Sequence, residues 1–257
     1  MLLLAVESAT DAAAVALADD DGVLVSVTAE RGRRHAETLA PAIDFACRQA
    51  GVAPADVEAV AVDIGPGLFT GLRVGVGTAK AFAGALGLPV VAVGSLQLLA
   101  QAAADTGLLG APGQPDRLVA VVDARRGEVF WAPFAAGAAG ADEAGAGSAA
   151  AGAVEAHRRG PDAVCPPDVL AADVPAGSLL VGDGAARYRT LLGAAGHQVA
   201  GPLLAHPPVG VLARVGLRRL AAGAAVAATA VAPRYLRQAD ARINWERRLP
   251  PRPAPAP

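Results

Sequence analysis

A chain of 257 residues, 53% of them apolar, has room for one large domain or for two lobes of roughly 100–150 residues each, with ample material for a core. A formal charge of −2 at pH 7 gives no global field for nucleic acid or an anionic membrane, so any nucleic-acid contact must come from a local patch or a partner. Cys47 and Cys165 stand alone, without metal-ligand or redox spacing, which fits a reducing cytoplasm.

Leu2 to Val6 reads as a continuous apolar strand ending on Glu7, followed by the polar turn Ser8-Ala9-Thr10-Asp11. This opening lacks a basic stretch and meets an acid too early for a signal peptide. Ala13 to Ala18 is the returning strand and Gly22 to Ala29, past Asp19-Asp20-Asp21, a third, so a β-meander begins the chain. Arg31-Gly32-Arg33-Arg34-His35 leads into a helix whose Leu39, Ile43, Ala46 and Ala50 hold the apolar period and which Gly51 ends. Cations at a helix start oppose its dipole, so this cluster is either a solvated turn or a corner that meets an anionic partner.

The most distinctive stretch follows. A short strand, Val60 to Ile64, runs into the turn Gly65-Pro66-Gly67, and the chain re-enters as a helix. Gly71, Gly75, Ala79, Ala83 and Gly87 recur every fourth residue of that helix and form one strip without bulk. Helical glycines cost about 0.8–1 kcal/mol each relative to alanine, so the strip needs compensation from packing. It is read as a docking surface, either for a neighbour within the fold or for another subunit. Pro89 introduces the strand Val90 to Val93, and Ser95 caps a helix over Leu96 to Ala104. The uncharged run Ala81 to Ala104 is broken by Gly84, Gly87, Pro89 and Gly94 and is not a membrane span.

A Pro/Gly linker, Gly110 to Asp116, separates a first lobe (1–108) from a second, smaller one (117–245). The second lobe repeats the opening of the first: Leu118 to Asp123 is a strand ending in an acid, then comes a tight turn, then Glu128 to Trp131 returns, as expected of an internal duplication. Ala135 to Ala153 is an Ala/Gly tract read as a mobile loop. A short helix after Pro166-Pro167-Asp168, the strand Ser178 to Val181, Gly182-Asp183-Gly184, a helix from Ala185 to about Leu192 and a last helix, Val209 to Ala222, follow. Pro233-Arg234-Tyr235-Leu236-Arg237 precedes a Pro-rich tail (246–257) expected to be disordered.

Glu7-Ser8-Ala9-Thr10, the Gly65-to-Arg73 block, Val122-to-Phe130 and Pro233-to-Arg237 together resemble the TsaB (YeaZ) family of tRNA threonylcarbamoyladenosine biosynthesis, over most of the chain except residues 135 to 175 and the tail. The resemblance implies an α/β fold of two actin/RNase H-like (ASKHA) lobes, each a β-meander continued by αβα elements, the second reduced. It implies a cytoplasmic, non-catalytic scaffold that binds a TsaD-like catalytic subunit and a TsaE-like ATPase, forms a homodimer alone, and meets tRNA through the complex. On that resemblance the small-residue strip becomes an intermolecular interface, with His35, Gly71, Arg73, Gly75, Ala79 and Ala83 as partner-binding residues.

In the catalytic relative a His-x-x-x-His pair holds a metal after the strand matching Val90 to Val93. Here Ser95 and Leu99 stand in those places. His35, His157, His197 and His206 have no ligand spacing, and no Walker A or dinucleotide pattern is present. The chain is therefore expected to need no cofactor, ATP and Mg²⁺ belonging to the complex. Asp123, Gly182, Asp183 and Gly184 are the weak candidates for nucleotide contact, because acid-tipped hairpins hold Mg-nucleotide in sugar kinases. A small-molecule kinase and a peptidase-like hydrolase are the alternatives, although no nucleophile–base pair supports the second.

Overall fold

The computed structural model describes residues 1–30, 34–107, 117–138 and 154–237. Three short antiparallel strands open it, β1 (Leu3–Glu7), β2 (Ala13–Asp19) and β3 (Gly22–Ala29), followed by α1 (His35–Ala50), β4 (Ala59–Asp63), α2 (Phe69–Leu86), β5 (Pro89–Val93) and α3 (Ser95–Asp105). β4 lies parallel to β1, with Leu3 opposite Ala59 and Val6 opposite Val62, and β5 lies parallel to β4. β1 and β4 are apolar up to their terminal acids because both of their faces are covered. Leu4, Val6, Val60 and Val62 share a core with Leu39, Ile43 and Val76 of α1 and α2, while Leu3, Ala5, Ala59 and Ala61 fall in the core on the other side. Gly51 and Gly87, in left-handed conformation, end the two helices.

The second half repeats the plan with β6 (Arg117–Arg125), β7 (Glu128–Ala138), β8 (Val154–Arg158), β9 (Ala163–Cys165), α4 (Pro167–Asp173), β10 (Leu179–Val181), α5 (Asp183–Arg187), α6 (Arg189–Ala194) and β11 (Gln198–Val199). β6 and β7 are antiparallel and β10 lies parallel to β6, as β4 does to β1. The tract expected to be a loop from Ala135 is strand as far as Ala138; its remainder, and the Pro-rich tail, lie outside the described residues. The helix expected over Ala185 to Leu192 is two short ones meeting at Tyr188.

The helices between the sheets are exchanged. α3 packs on β6, β7 and β8 of the second sheet, where the Gln97 side-chain amide donates to the Ala156 carbonyl at 2.8 Å. α7 (Val209–Ala221), which follows the second sheet, packs instead on the first. Gly216 is the close-approach point there: a β-carbon would stand 2.6 Å from that of Ala61. β12 (Val226–Ala227) then pairs with β5 and completes the first sheet in the order β12-β5-β4-β1-β2-β3. From there the chain runs as a strap along α2: Lys80 donates to the carbonyls of Thr229 and Val231, and the Arg234 N–H to that of Ile64 at 2.7 Å. A division of the sequence at residues 108 and 117 does not anticipate this exchange. No helix among the described residues is long and apolar enough to cross a membrane.

Candidate functional site between the lobes

The turn before α2 carries a cis Gly65–Pro66 bond, and the Leu68 N–H donates to the Ala9 carbonyl at 2.7 Å, seating the helix start beneath the β1–β2 turn. Gly71, Gly75, Ala79 and Ala83 are buried. A methyl at Gly71 would overlap the Ser8 carbonyl and one at Gly75 the Ser8 hydroxyl, which itself donates to the Gly71 carbonyl at 2.9 Å. Ala79 and Ala83 belong to the core with Leu4, Val60 and Val62. The expectation that a second protein's helix lies on this strip is thus corrected: the missing bulk admits the chain's own first strand and turn. His35 is corrected with it. It is buried, and its Nε2–H donates to the Thr10 carbonyl at 2.9 Å, so it anchors that turn from below. Arg73 is exposed, with its guanidinium 4.0 Å over the Phe69 ring and its Nε donating to the Tyr235 hydroxyl at 3.3 Å.

The solvent face of α2 carries other small residues, Gly77, Ala81 and Gly84, and a β-carbon at either glycine would meet nothing within 4 Å. Beside them α1 exposes Ala36, Ala40, Pro41 and Phe45, the last 45% accessible. Gly77, Ala81 and Ala85 on this outer face follow the same period of four as the inner strip, so spacing alone does not distinguish the two faces.

Between the lobes the strand ends bring acids together. Glu7 and Asp63, ending β1 and β4, are wholly buried. Glu7 accepts from the Ala9 N–H at 2.8 Å, and Asp63 Oδ1 from the Gly65 N–H and the Ser95 hydroxyl, each at 2.7 Å, while Glu7 Oε2 and Asp63 Oδ2 have no partner among the described residues. Burial pushes Asp63 up to about 7. It carries Glu7 well above the carboxylate range as well, with the neighbouring Asp63 charge second. Both carboxyls therefore favour the neutral form.

The second hairpin answers the first directly. Arg125 donates through Nη1 to Asp123 at 2.8 Å and through Nη2 to Asp11 at 2.7 Å, while His206 Nδ1 lies 2.9 Å from Thr10 Oγ1. An intramolecular clasp thus joins the β1–β2 and β6–β7 turns. The candidate nucleotide residues have structural tasks: Asp183 Oδ1 accepts from the Asp123 N–H at 2.9 Å, and side chains at Gly182 or Gly184 would collide with the backbone of Val121 and Val122. Leu99 is core and packs beside Gly182, and Ser95 serves Asp63. His197 donates to the Ala171 carbonyl at 3.0 Å, and no cluster of three or more His, Cys, Asp or Glu able to hold a metal occurs among the described residues.

One open cavity, of about 260 Å³, lies where the start of α2, the β6–β7 turn and the strap converge. Gly67, Leu68 and Phe69 form one wall, Ala124 to Arg126 with Phe130 a second, and Arg234 to Arg237 a third. The Phe69 and Tyr235 rings meet with centroids 5.0 Å apart and planes tilted by 36°. The motif at Pro233–Arg237 is visible in sequence, but its destination depends on the long return from α7.

Two sheets built on one hairpin-plus-parallel-strand plan, with acid-tipped strands meeting between them, define an actin-like (ASKHA-type) α/β protein. A family model described as "TsaD: tRNA N6-adenosine threonylcarbamoyltransferase" matches residues 21–245. The structure is similar to that of YeaZ from Pseudomonas aeruginosa, with a TM-score of 0.73 and 31% identity over 91% of this chain and 99% of the other. In sequence the chain is 34% identical over 134 residues to the tRNA threonylcarbamoyladenosine biosynthesis protein TsaB of Escherichia coli (52% of this chain, 55% of the relative). It is 32% identical over 130 residues to the protein of the same name from Bacillus subtilis (51% and 53%). These matches span about half the length of the curated relatives. The chain belongs to the TsaB (YeaZ) family.

Proposed function

We propose that the chain is a non-catalytic scaffold in the biosynthesis of N6-threonylcarbamoyladenosine at position 37 of tRNA, binding a TsaD-like catalytic subunit and a TsaE-like ATPase. The observation that carries the reading is the match along nearly the whole of YeaZ, combined with Ser95 and Leu99 where the catalytic relative holds metal. The Arg125 clasp supports it and disfavours a kinase, since the phosphate gap between the hairpins is taken by a guanidinium. The partner meets the outer face of α1 and α2, around Phe45, Gly77, Ala81 and Gly84, and a second copy of the chain takes that face when the partner is missing. The complex acts in the cytoplasm, and ATP and Mg²⁺ are used by its other subunits.

Reconstitution with the TsaD-like and TsaE-like proteins, read by mass spectrometry of tRNA nucleosides, tests this. The modified nucleoside should form only when this chain and its partner are both present, and Ala81→Arg should abolish it while leaving the thermal midpoint unchanged. Equal modification without this chain would overturn the proposal.

A further inference from the structure

Three sequence blocks that are far apart along the chain, Gly65 to Arg73, Val122 to Phe130 and Pro233 to Arg237, all reach the cavity of about 260 Å³ beside the strap. Among the described residues the lining contains four arginines, Arg125, Arg126, Arg234 and Arg237, and no acid, in a chain whose net charge is −2. It also takes Phe69, Phe130 and Tyr235 from a chain with only five Phe, two Tyr and two Trp. We propose that this cleft binds a phosphorylated nucleoside, either free or as one unit of a single-stranded RNA. The base lies against the Phe69–Tyr235 pair and the phosphate on the guanidiniums of Arg126, Arg234 and Arg237.

Arg125, Arg234 and Arg237 are positioned by carboxylates that are not part of the lining. Asp162 lies 2.8 Å from Arg234 and Glu128 2.5 Å from Arg237, while Asp123 and Asp11 hold Arg125. A guanidinium has five donors, so one carboxylate contact fixes it without exhausting it, and planar forks of this kind suit phosphate. The start of α2 adds to the same field. Its first backbone bond runs from the Leu72 N–H to the Leu68 carbonyl, and Leu68 supplies no side-chain cap, so the first-turn amides have no acceptor within the helix at the wall formed by Gly67 to Phe69. Arg126 sits in the hairpin turn at φ 57°, where glycine is the easier residue. An accessible aromatic face beside cations is the combination that holds an unpaired base and its phosphate, and Tyr235 is 43% accessible. The size of the cleft suits one nucleoside unit rather than a helix of another protein. It adjoins the gap between the acid-tipped hairpins, which Arg125 closes.

The test uses the full-length chain without partners, so its outcome is independent of the scaffold reading. Fluorescence anisotropy of a short labelled oligoadenylate at low salt, with competition by adenosine monophosphate, adenosine and inorganic phosphate, reports binding. Saturable binding is expected, weakened by about tenfold in Arg126→Gly and in Arg237→Gln, each of which removes one charge-assisted contact. Glycine suits the left-handed φ of this position, and the thermal midpoint of Arg126→Gly is measured alongside, so that a loss of binding at an unchanged midpoint is assigned to the cleft. Competition by adenosine monophosphate identifies a free nucleotide as sufficient, and binding of the oligonucleotide alone identifies an RNA strand. No saturable binding of either, wild-type affinity in both variants, or equal competition by phosphate without a base would overturn the proposal.

Discussion

On the inner face of α2, Gly71 and Gly75 leave room for the backbone and hydroxyl of Ser8, and any side chain there would overlap them. On the outer face, Gly77 and Gly84 have nothing within 4 Å of where a β-carbon would be. Residue type is the same and the physical cause opposite. Inside, glycine is required by a contact the chain makes with itself; outside, nothing in the described chain requires it. Small-residue spacing alone therefore does not say which face of a helix another protein will use.

The comparison is broken most severely by Gly71→Ala, which sets a methyl against the backbone at Ser8. A loss of about 3 kcal/mol or more in urea denaturation is expected, at the upper end of overpacking costs. The two buried strand-end acids, Glu7 and Asp63, add a pH dependence. Asp63 holds its proton up to about pH 7 when folded and releases it near 4 when unfolded, so the folded state binds the extra proton between those values. Its contribution is thus fully present below about pH 4 and is lost as pH rises to about 7, on the order of a few kcal/mol. Glu7 is shifted in the same direction. Asp63→Asn, whose carbonyl still accepts from Gly65 and Ser95, should flatten the pH dependence of the thermal midpoint. An unchanged slope would show that the proton is held elsewhere.

Gly75→Ala should cost less than Gly71→Ala, about 1–3 kcal/mol, because the clash is with a side-chain hydroxyl that can rotate. The outer face should reverse the sign: Gly77→Ala and Gly84→Ala are expected to stabilise the isolated chain by about 0.5–1 kcal/mol each through helix propensity. If partner binding weakens in the same two variants, the proposed interface is sharpened; if they destabilise the monomer, the distinction between the faces fails.

Much of the fold is legible in the sequence. Continuous apolar runs at Leu2 to Val6 and Val60 to Ile64, the glycines after both helices and the echo of the first hairpin at Leu118 to Trp131 give the elements and the two-sheet plan. What fills the space beside a helix is not legible, because periodicity reports that bulk is missing and not who replaces it. His35 shows the same limit: its place before a helix is visible, whereas its bond to Thr10 depends on how the β1–β2 turn folds back. The exchange of α3 and α7 leaves no trace in composition, since both are ordinary apolar helices whose target is chosen by tertiary packing. The arginine cleft is hidden for the same reason, its three walls being brought together only by the strap.

The exchanged helices also bear on how the chain is made. As it leaves the ribosome, β1, β2, β4 and β5 can bury one side against α1 and α2 at once, but the apolar side holding Leu3, Ala5, Ala61 and Val93 waits for α7, and the sheet edge for Val226 and Ala227. Until then that surface is open to unwanted association, so a nascent chain stalled before Val209 should be a substrate for chaperones where the finished one is not.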